Sequence, residues 1–547
     1  MPALDIQSLR QSLRASPDQT AEEFTLEGVI TGQTRKGYFI QQPRIDDQVS
    51  SALFVFSPRH QLQASQLAKL SGTVTPYQAR EGDKVCLQFK PKHAQLQGSA
   101  PLPEAIELDL NLLASSHLLE VQQYLNSLES MRVKIPAGLV CVAPANLFGD
   151  YVVAPPSWPG FCRPPGGVLI QPEDPHRWIP SFRVLNQSGL PDVYVGDELR
   201  SAVTGPLNYR ASAYQVTATQ AVEFAAGQRH EPTKLSWPDD RQGITVMTLN
   251  TFNLDPKVER KSMVKDPRMD VDDDVGERQY RNLALAITEA GACPDVVALQ
   301  EIQDDDGSEQ TDQVQASGNL ELLCAVIENL SGVAYEWIDS PPELHAEGGQ
   351  PGGNIRNAFL YRPDRIRHSG PVIRLGESAA AYEDSRRPVS TTFEAVAHTQ
   401  SLEVINVHLA SKRHQHSKFA ATDPTFDPRE PQRIEQCKVI SETLKQLNKR
   451  NQDYYVTGDF NDYEFSASML ALEDDHSVNL LNELPPEQRY DYNHRGQLLA
   501  LMHGVISKRQ HARSGNAYQI LHGNELEPVD PDSTSSDHAY VIARLVG

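Results

Sequence analysis

Five apolar runs in the C-terminal half of this 547-residue chain begin or end in side chains that can ligate cations or move protons. ITVMTLN closes on Asn250, PDVVALQE closes on Glu301, and LEVINVHL carries Asn406 and His408. YYVTGDFND carries Asp459 and Asn461, and SSDHAYVIARL opens on Asp537 and His538. An apolar strand that stops at a carboxylate, amide or imidazole delivers that group to a sheet edge, where several strands can pool their ends. Side chains two apart share a strand face, so Asn406 and His408 point to one side. Asp459 and Asn461 do the same if the chain stays extended there. Hard oxygen donors suit Mg²⁺, with Mn²⁺ or Ca²⁺ as substitutes. Two imidazoles suit a general base and a general acid near neutral pH. A hard cation beside an imidazole pair fits hydrolysis of a phosphate ester. The cation offsets phosphoryl charge, one histidine helps to activate water, and the other assists the leaving group.

Singly, each group has a plainer role. Asn250 reads as a turn after a strand, Glu301 as a solvated strand end and His408 as a hydrogen-bonded structural histidine. GDFN is a good turn by composition alone. The order and spacing of all five favour the catalytic reading. The ordered set TLNTFN, ALQE, VINVHLAS, TGDFND and SSDH, across residues 244–547, resembles the endonuclease/exonuclease/phosphatase superfamily. The resemblance implies a four-layered α/β sandwich of two packed sheets with helices outside. It implies Asn250, Glu301 and Asp537 as holders of a divalent metal and His538 as the general base. It implies His408 at the scissile phosphate or leaving oxygen, and Asp459 and Asn461 orienting the attacking water. Arg386, in SRRPVSTTF, and Asn406 fall on the substrate side.

One position departs from the family pattern. The aspartate of an L-D-H-I-like late strand, which orients the base histidine, corresponds to Met502 in ALMHGVIS. A thioether cannot hold an imidazole as a carboxylate does, and losing such a partner elsewhere costs about 10⁴ in rate. Either another carboxylate, with Asp491 a candidate, takes the role, or the chain is a catalytically degenerate DNA-binding member.

The elements that must position these residues are legible as an alternation of strand runs with amphipathic helices near 278–290, 319–330 and 429–449. That alternation makes residues 243–547 an α/β or α+β domain. Residues 20–95 read instead as five short strands with turn signals, an OB-like barrel. Residues 96–130 read as a helical connector and 131–226 as a second β-module. LSGTVTPY (70–77) and VTGPLNY (203–209) echo each other late in the two modules. The polar stretch 227–243 reads as a linker. The N-terminal part resembles the OB-like domain that precedes the catalytic domain in bacterial nucleases, many of them extracellular. In a barrel of that kind Tyr38, Phe39, Phe54 and Phe56 are candidates for stacking bases, with about half expected in the core.

The formal net charge is −22, which by itself disfavours gripping nucleic acid by its phosphates. It is unevenly placed: residues 1–240 hold 24 acidic and 20 basic residues, residues 241–547 hold 48 and 30. The acidity therefore belongs to the domain that must collect carboxylates for a cation. DVDDDVG (270–276) misses the calcium-loop pattern, with its glycine one place late and Arg281 at position twelve, and reads as a solvated acidic loop. KRHQHSK (412–418) reads as a basic loop. Six cysteines without a C-x-x-C pair read as reduced thiols. No run is long and apolar enough to span a membrane. With no apolar signal core at its start, the sequence as written reads as cytoplasmic, or secreted if it is a processed form. The leading expectation is a metal-dependent nuclease acting on DNA. The alternatives are a phosphoesterase of the same fold acting on lipid or small phosphate esters, and the degenerate member named above.

Overall fold

In the computed structural model the described residues are 5–15, 23–115, 117–146, 148–162, 166–185, 193–228, 230–237, 242–376, 378–473, 476–527 and 535–547. Residues 163–165 of the Pro-rich run and residues 229 and 238–241 of the expected linker lie outside them. Two compact units emerge. The first comprises Met1–Arg229 with His414–Asp427 and Arg495–Gln497, and the second His230–Arg413, Pro428–His494 and Leu498–Gly547.

The first unit is all-β apart from short helices. Strands β1 (Glu23–Thr34), β2 (Gly37–Gln41), β3 (Ala52–Phe56), β4 (Gln66–Tyr77) and β5 (Cys86–Ser99) close into a barrel in the order β1-β2-β3-β5-β4. Alternation fills it: Leu26, Ile30, Tyr38, Ile40, Leu53, Val55, Leu70 and Phe89 form its core, joined by Ile6 and Leu9 of helix α1 (Ile6–Ala15). Tyr38 and Phe39 are buried and cannot stack on a base, whereas Phe54 and Phe56 keep partial exposure. Helix α2 (Leu118–Leu128) lies within the expected connector. Residues beyond it join a nine-stranded sheet built around hairpins such as Val203–Arg210 with Ala213–Ala218. Glu129, buried, is paired by Arg10 and Lys84, which keeps a charge inside the unit at tolerable cost. Burial alone would raise its pKa, but the two cations hold it down at about 2.

The second unit has two six-stranded sheets. One runs β8 (Glu336–Ile338), β9 (Arg356–Tyr361), β7 (Val296–Ile302), β6 (Ile244–Leu254), β17 (Tyr540–Leu545) and β16 (Ala517–Leu521). The other runs β10 (Ile366–Arg374), β11 (Val389–Ala395), β12 (Ser401–His408), β13 (Tyr454–Asp459), β15 (Met502–Ser507) and β14 (Ser477–Asn479). Three apolar layers show how they stack. Met247, Leu249, Val297 and Leu299 pack on α3 (Gln279–Leu285) and α4 (Ser317–Ser331) through Leu283, Leu320 and Leu323. Ile405, Val407, Tyr454 and Val456 pack on α5 (Glu430–Lys449) and α6 (Ala467–Leu472) through Cys437, Ile440 and Met469. Between the sheets lie Val246, Val296, Ala298, Leu402, Val404, Tyr455 and Ile506. Helix, sheet, sheet, helix is the four-layered sandwich. None of the six cysteines, all of them described, is in a disulfide. No helix among the described residues is long and apolar enough to cross a membrane.

Candidate functional site

The inter-sheet layer changes character along its length. Period-2 alternation puts Leu402, Val404, Asn406 and His408 in one row of β12, facing the first sheet. In the same layer β6 goes from Ile244 and Val246 to Thr248 and Asn250, and β7 from Val296 and Ala298 to Gln300. β13 ends on Thr457 and Asp459. Apolar side chains therefore fill one end of the layer, and amides, carboxylates and imidazoles collect at the other.

Backbone irregularities aim the terminal groups. The β7–β9 ladder shifts register between Leu299 and Ile302, and Glu301 within that bulge sits at φ +62°. A bulge bends a strand and redirects a side chain, and a non-glycine residue in the left-handed region is a conformation that surrounding structure must enforce. The β6–β7 ladder shifts likewise beyond Asn250. Asn461 lies past the end of β13 at φ +54°, so the chain does not stay extended there. A turn, not strand periodicity, keeps it beside Asp459: its backbone N donates to Asp459 Oδ1 (2.8 Å), and its side chain donates to Leu409 O (3.2 Å).

Five ionisable groups meet at the polar end. His408 Nε2 lies 3.7 Å from Glu301 Oε1 and 3.6 Å from Asp459 Oδ2. His538 Nε2 lies 3.9 Å from Asp459 Oδ2 and 3.9 Å from Asp537 Oδ1. Arg386 is buried, with Nη2 donating to Leu409 O (2.8 Å) and Nη1 to Gly348 O (3.2 Å), while its Nε–H has no acceptor among the described residues. It is not a solvated surface arginine. The electrostatics follow from burial and crowding. Burial, then the charge of Asp537, pushes Glu301 up to about 7. Burial and the neighbouring Arg386 and His538 hold His408 well below the usual imidazole range, hence neutral. Burial would also lower His538, but Asp537, Asp491 and Asp459 outweigh it and hold its pKa at about 10.

Glu301, Asp537 and Asn250 are all oxygen donors, and the crowding that makes Glu301 hard to ionise is what a divalent cation relieves. The donor set thus fits a hard metal. A second group could also hold a cation: Asp255, Asp272 and Asp274 offer oxygens that all lie within 4.8 Å of one another. Burial and like charge push Asp255 up to about 9 and Asp274 to about 8. The run 270–276 is thus not simply solvated, since two of its aspartates turn toward the buried Asp255.

Two sequence expectations change. Asn406 is fully buried and cannot touch a substrate. Its Nδ2 donates to Leu299 O (2.9 Å) and Ala358 O (3.0 Å), and its Oδ1 accepts from Gln300 Nε2 (2.7 Å), so it ties the two sheets together beneath the site. The run KRHQHSK divides, with His414–Asp427 clustering in the first unit and the His416 ring against Phe426. Residues without a strand-end signal also belong to the site. Asp491 is fully buried, with Oδ2 2.7 Å from His538 Nδ1. The Tyr492 ring lies 4.8 Å from the His538 ring. Asp462, clamped by Arg433 (2.9 Å) and Lys412 (2.6 Å), anchors the turn after Asp459.

Residues 268–515 match the model of the endonuclease/exonuclease/phosphatase family, and residues 121–228 match a domain of unknown function. No curated protein matches the chain. Solved structures similar to this chain include truncated Caenorhabditis elegans TDP2, with 14% identity over 56% of this chain and 98% of that one and a TM-score of 0.36. D. rerio TDP2 complexed with single strand DNA product shows 12% identity over 56% of this chain and 99% of that one, TM-score 0.35. An endonuclease/exonuclease/phosphatase from Bacteroides vulgatus shows 13% identity over 55% and 98%, TM-score 0.34. The C-terminal region is thus similar to the endonuclease/exonuclease/phosphatase family over residues 268–515.

Proposed function

We propose that this chain is a divalent-metal-dependent phosphodiesterase whose substrate is a nucleic acid, most naturally DNA. The observation that supports this best is the meeting of Glu301, Asp537, His408, Asp459 and His538 at one end of the inter-sheet layer, with a buried arginine beside them. Glu301, Asp537 and Asn250 would hold Mg²⁺ or a similar hard ion. When bound, such an ion supplies Lewis-acid stabilisation of the phosphoryl charge. Every other function falls to the chain itself. Neutral His408 presents Nε2 to a phosphate oxygen, which it can meet as a donor if its proton lies there. Arg386 brings a fixed positive charge and a spare Nε–H to the same anion. Asp459 and Asn461 orient a water molecule, and His538 moves its proton through Nε2.

Charge around the site governs how a nucleic acid would bind. An acidic domain repels a polyanion unless a cation and local arginines intervene, so binding should be weak without metal and strongly salt-dependent. No amphipathic apolar segment for membrane docking was found in the sequence, which ranks a phospholipid substrate lower. The test is a substrate panel with Mg²⁺ or EDTA: supercoiled plasmid, single-stranded DNA, RNA, sphingomyelin vesicles and p-nitrophenyl phosphate. Mg²⁺-dependent cleavage of DNA is expected. Headgroup release without cleavage of any nucleic acid would replace this reading with the lipid one, and no turnover of any substrate would sink it.

A further inference from the structure

Strand β15 alternates as a sandwich strand must: Val505 faces α5 and α6, while Met502 and Ile506 face the inter-sheet side. Met502 is the ladder partner of Asp459 and packs against Ala539, the neighbour of His538. A side chain at 502 is therefore well placed to reach the imidazole, yet this one carries no charge. A carboxylate arrives there from elsewhere. Asp491 lies just before the short strand Tyr492–His494, and its backbone is fixed at both ends, its N donating to Leu499 O (2.8 Å) and its O accepting from Ala539 N (2.6 Å). Its Oδ1 accepts from the backbone N of both Leu501 (2.6 Å) and Met502 (2.9 Å). Its Oδ2 lies 2.7 Å from His538 Nδ1. The carboxylate thus sits on the very backbone amide whose own side chain is the methionine.

We propose that Asp491 is the positioning residue of His538, and that it replaces, from a separate segment, the carboxylate that position 502 lacks. The two amides of residues 501 and 502 satisfy Oδ1 and fix the carboxylate plane, leaving Oδ2 for the imidazole. An Nδ1–H donated to Oδ2 fixes the ring and aims Nε2 at Asp459 and Asp537, the side on which a water's proton would be handled. This rests on the hydrolase reading above. It makes the apolar Met502 a consequence of the relocation rather than a mark of lost catalysis, since two buried carboxylates on one imidazole edge would repel each other.

The experiment compares wild type, Asp491→Asn, Met502→Asp and the double variant Asp491→Asn/Met502→Asp. Plasmid cleavage with Mg²⁺ gives kcat and KM, and NMR of ¹⁵N-histidine-labelled protein gives the His538 Nδ1–H signal. Asp491→Asn should lose on the order of 10²–10⁴-fold in kcat with KM within about threefold, by analogy with loss of an orienting aspartate elsewhere. It should also lose the strongly downfield Nδ1–H signal of an imidazole bound to a carboxylate. In the double variant, the carboxylate at 502 should restore at least about tenfold of kcat, which repair of a merely structural defect would not do. Asp491→Asn within about threefold of wild type, or loss of activity that Met502→Asp does not restore, overturns the proposal while leaving the hydrolase reading intact. If wild type cleaves nothing, the hydrolase reading fails, and the Nδ1–H signal decides the rest. A change confined to Asp491→Asn supports the positioning contact, and identical spectra overturn it.

Discussion

Replacing Asn406 by alanine separates two accounts of that residue. Its side chain makes three hydrogen bonds, two donated across the inter-sheet layer to Leu299 O and Ala358 O and one accepted from Gln300. Gln300 Nε2 keeps bonds to Thr248 Oγ1 and Ala298 O, so truncation strands acceptors more than donors. With about 0.5–1.5 kcal/mol net for each buried bond and a small added cavity, the loss is roughly 3 kcal/mol. For a domain of this size that lowers Tm by roughly 6–12 °C. Differential scanning calorimetry in EDTA reads the shift, and plasmid cleavage well below Tm reads kcat and KM. The expected pattern is a large fall in Tm, a lowered kcat from a loosened site, and a KM close to wild type. A Tm within about 1 °C of wild type with KM raised tenfold or more would refute the reasoning and return Asn406 to the substrate.

Two further outcomes follow from burial and charge. The folded-state pKa values of Asp255 (about 9), Asp274 (about 8) and Asp272 (about 6) are raised, by burial first and then by neighbouring carboxylates. The folded state therefore binds more protons than the unfolded state, and stability falls as pH rises from the unfolded carboxylate range toward 9. Lys418, held down at about 7 by burial, contributes the opposite slope, so the diagnostic quantity is wild type minus Asp255→Asn. In urea titrations with EDTA, Asp255→Asn should gain at least about 1 kcal/mol on wild type between pH 6.5 and 9. A difference that does not change with pH would contradict the assignment. Arg386→Lys keeps a charge but loses the planar fork, and should lower kcat/KM by about tenfold or more with little change in Tm. A fall in Tm with unchanged kinetics would make Arg386 structural only.

Much of the second unit could be read from the sequence because its signals are local. Each motif is a strand end, and β6, β7, β12 and β13 appear where apolar runs stop at Asn250, Glu301, His408 and Asp459. Helices α3, α4 and α5 follow from periodicity, although α3 ends at Leu285 and continues as a π turn, Ala286–Ala290. What could not be read depends on register and on distance along the chain. Asn406 has the same residue type as Asn250 but lies two residues short of its strand end, deep enough to be roofed by the other sheet. Asp491 could be named from the sequence only as a candidate: it precedes a three-residue strand with no apolar run, and the fold is what brings its carboxylate to His538, 47 residues on. Asp255 meets Asp272 and Asp274 across a loop whose sequence shows only a run of charge. Phe39 alternates with Tyr38, yet both are buried: Tyr38 lies in the barrel core, and Phe39 packs on the other face against Phe54.

The acidity of the second unit also takes on a clearer meaning. Glu301, Asp459, Asp491 and Asp537 gather around His408 and His538, and Asp255, Asp272 and Asp274 form another carboxylate cluster. The remaining excess is surface charge that should keep DNA at a distance in the absence of a cation.

The most direct test is single-turnover cleavage of the DNA that wild type cuts best, with Mg²⁺ or EDTA, by wild type and Glu301→Gln. Glutamine keeps the shape at 301 and removes the charge that a hard cation needs. Cleavage by wild type only with Mg²⁺, and a rate at least about 10³-fold lower in a folded Glu301→Gln, is the predicted result, on the scale of removing a main electrostatic contributor to the transition state. Equal rates in the two proteins, or cleavage that persists in EDTA, would contradict a metal-dependent hydrolase centred on Glu301.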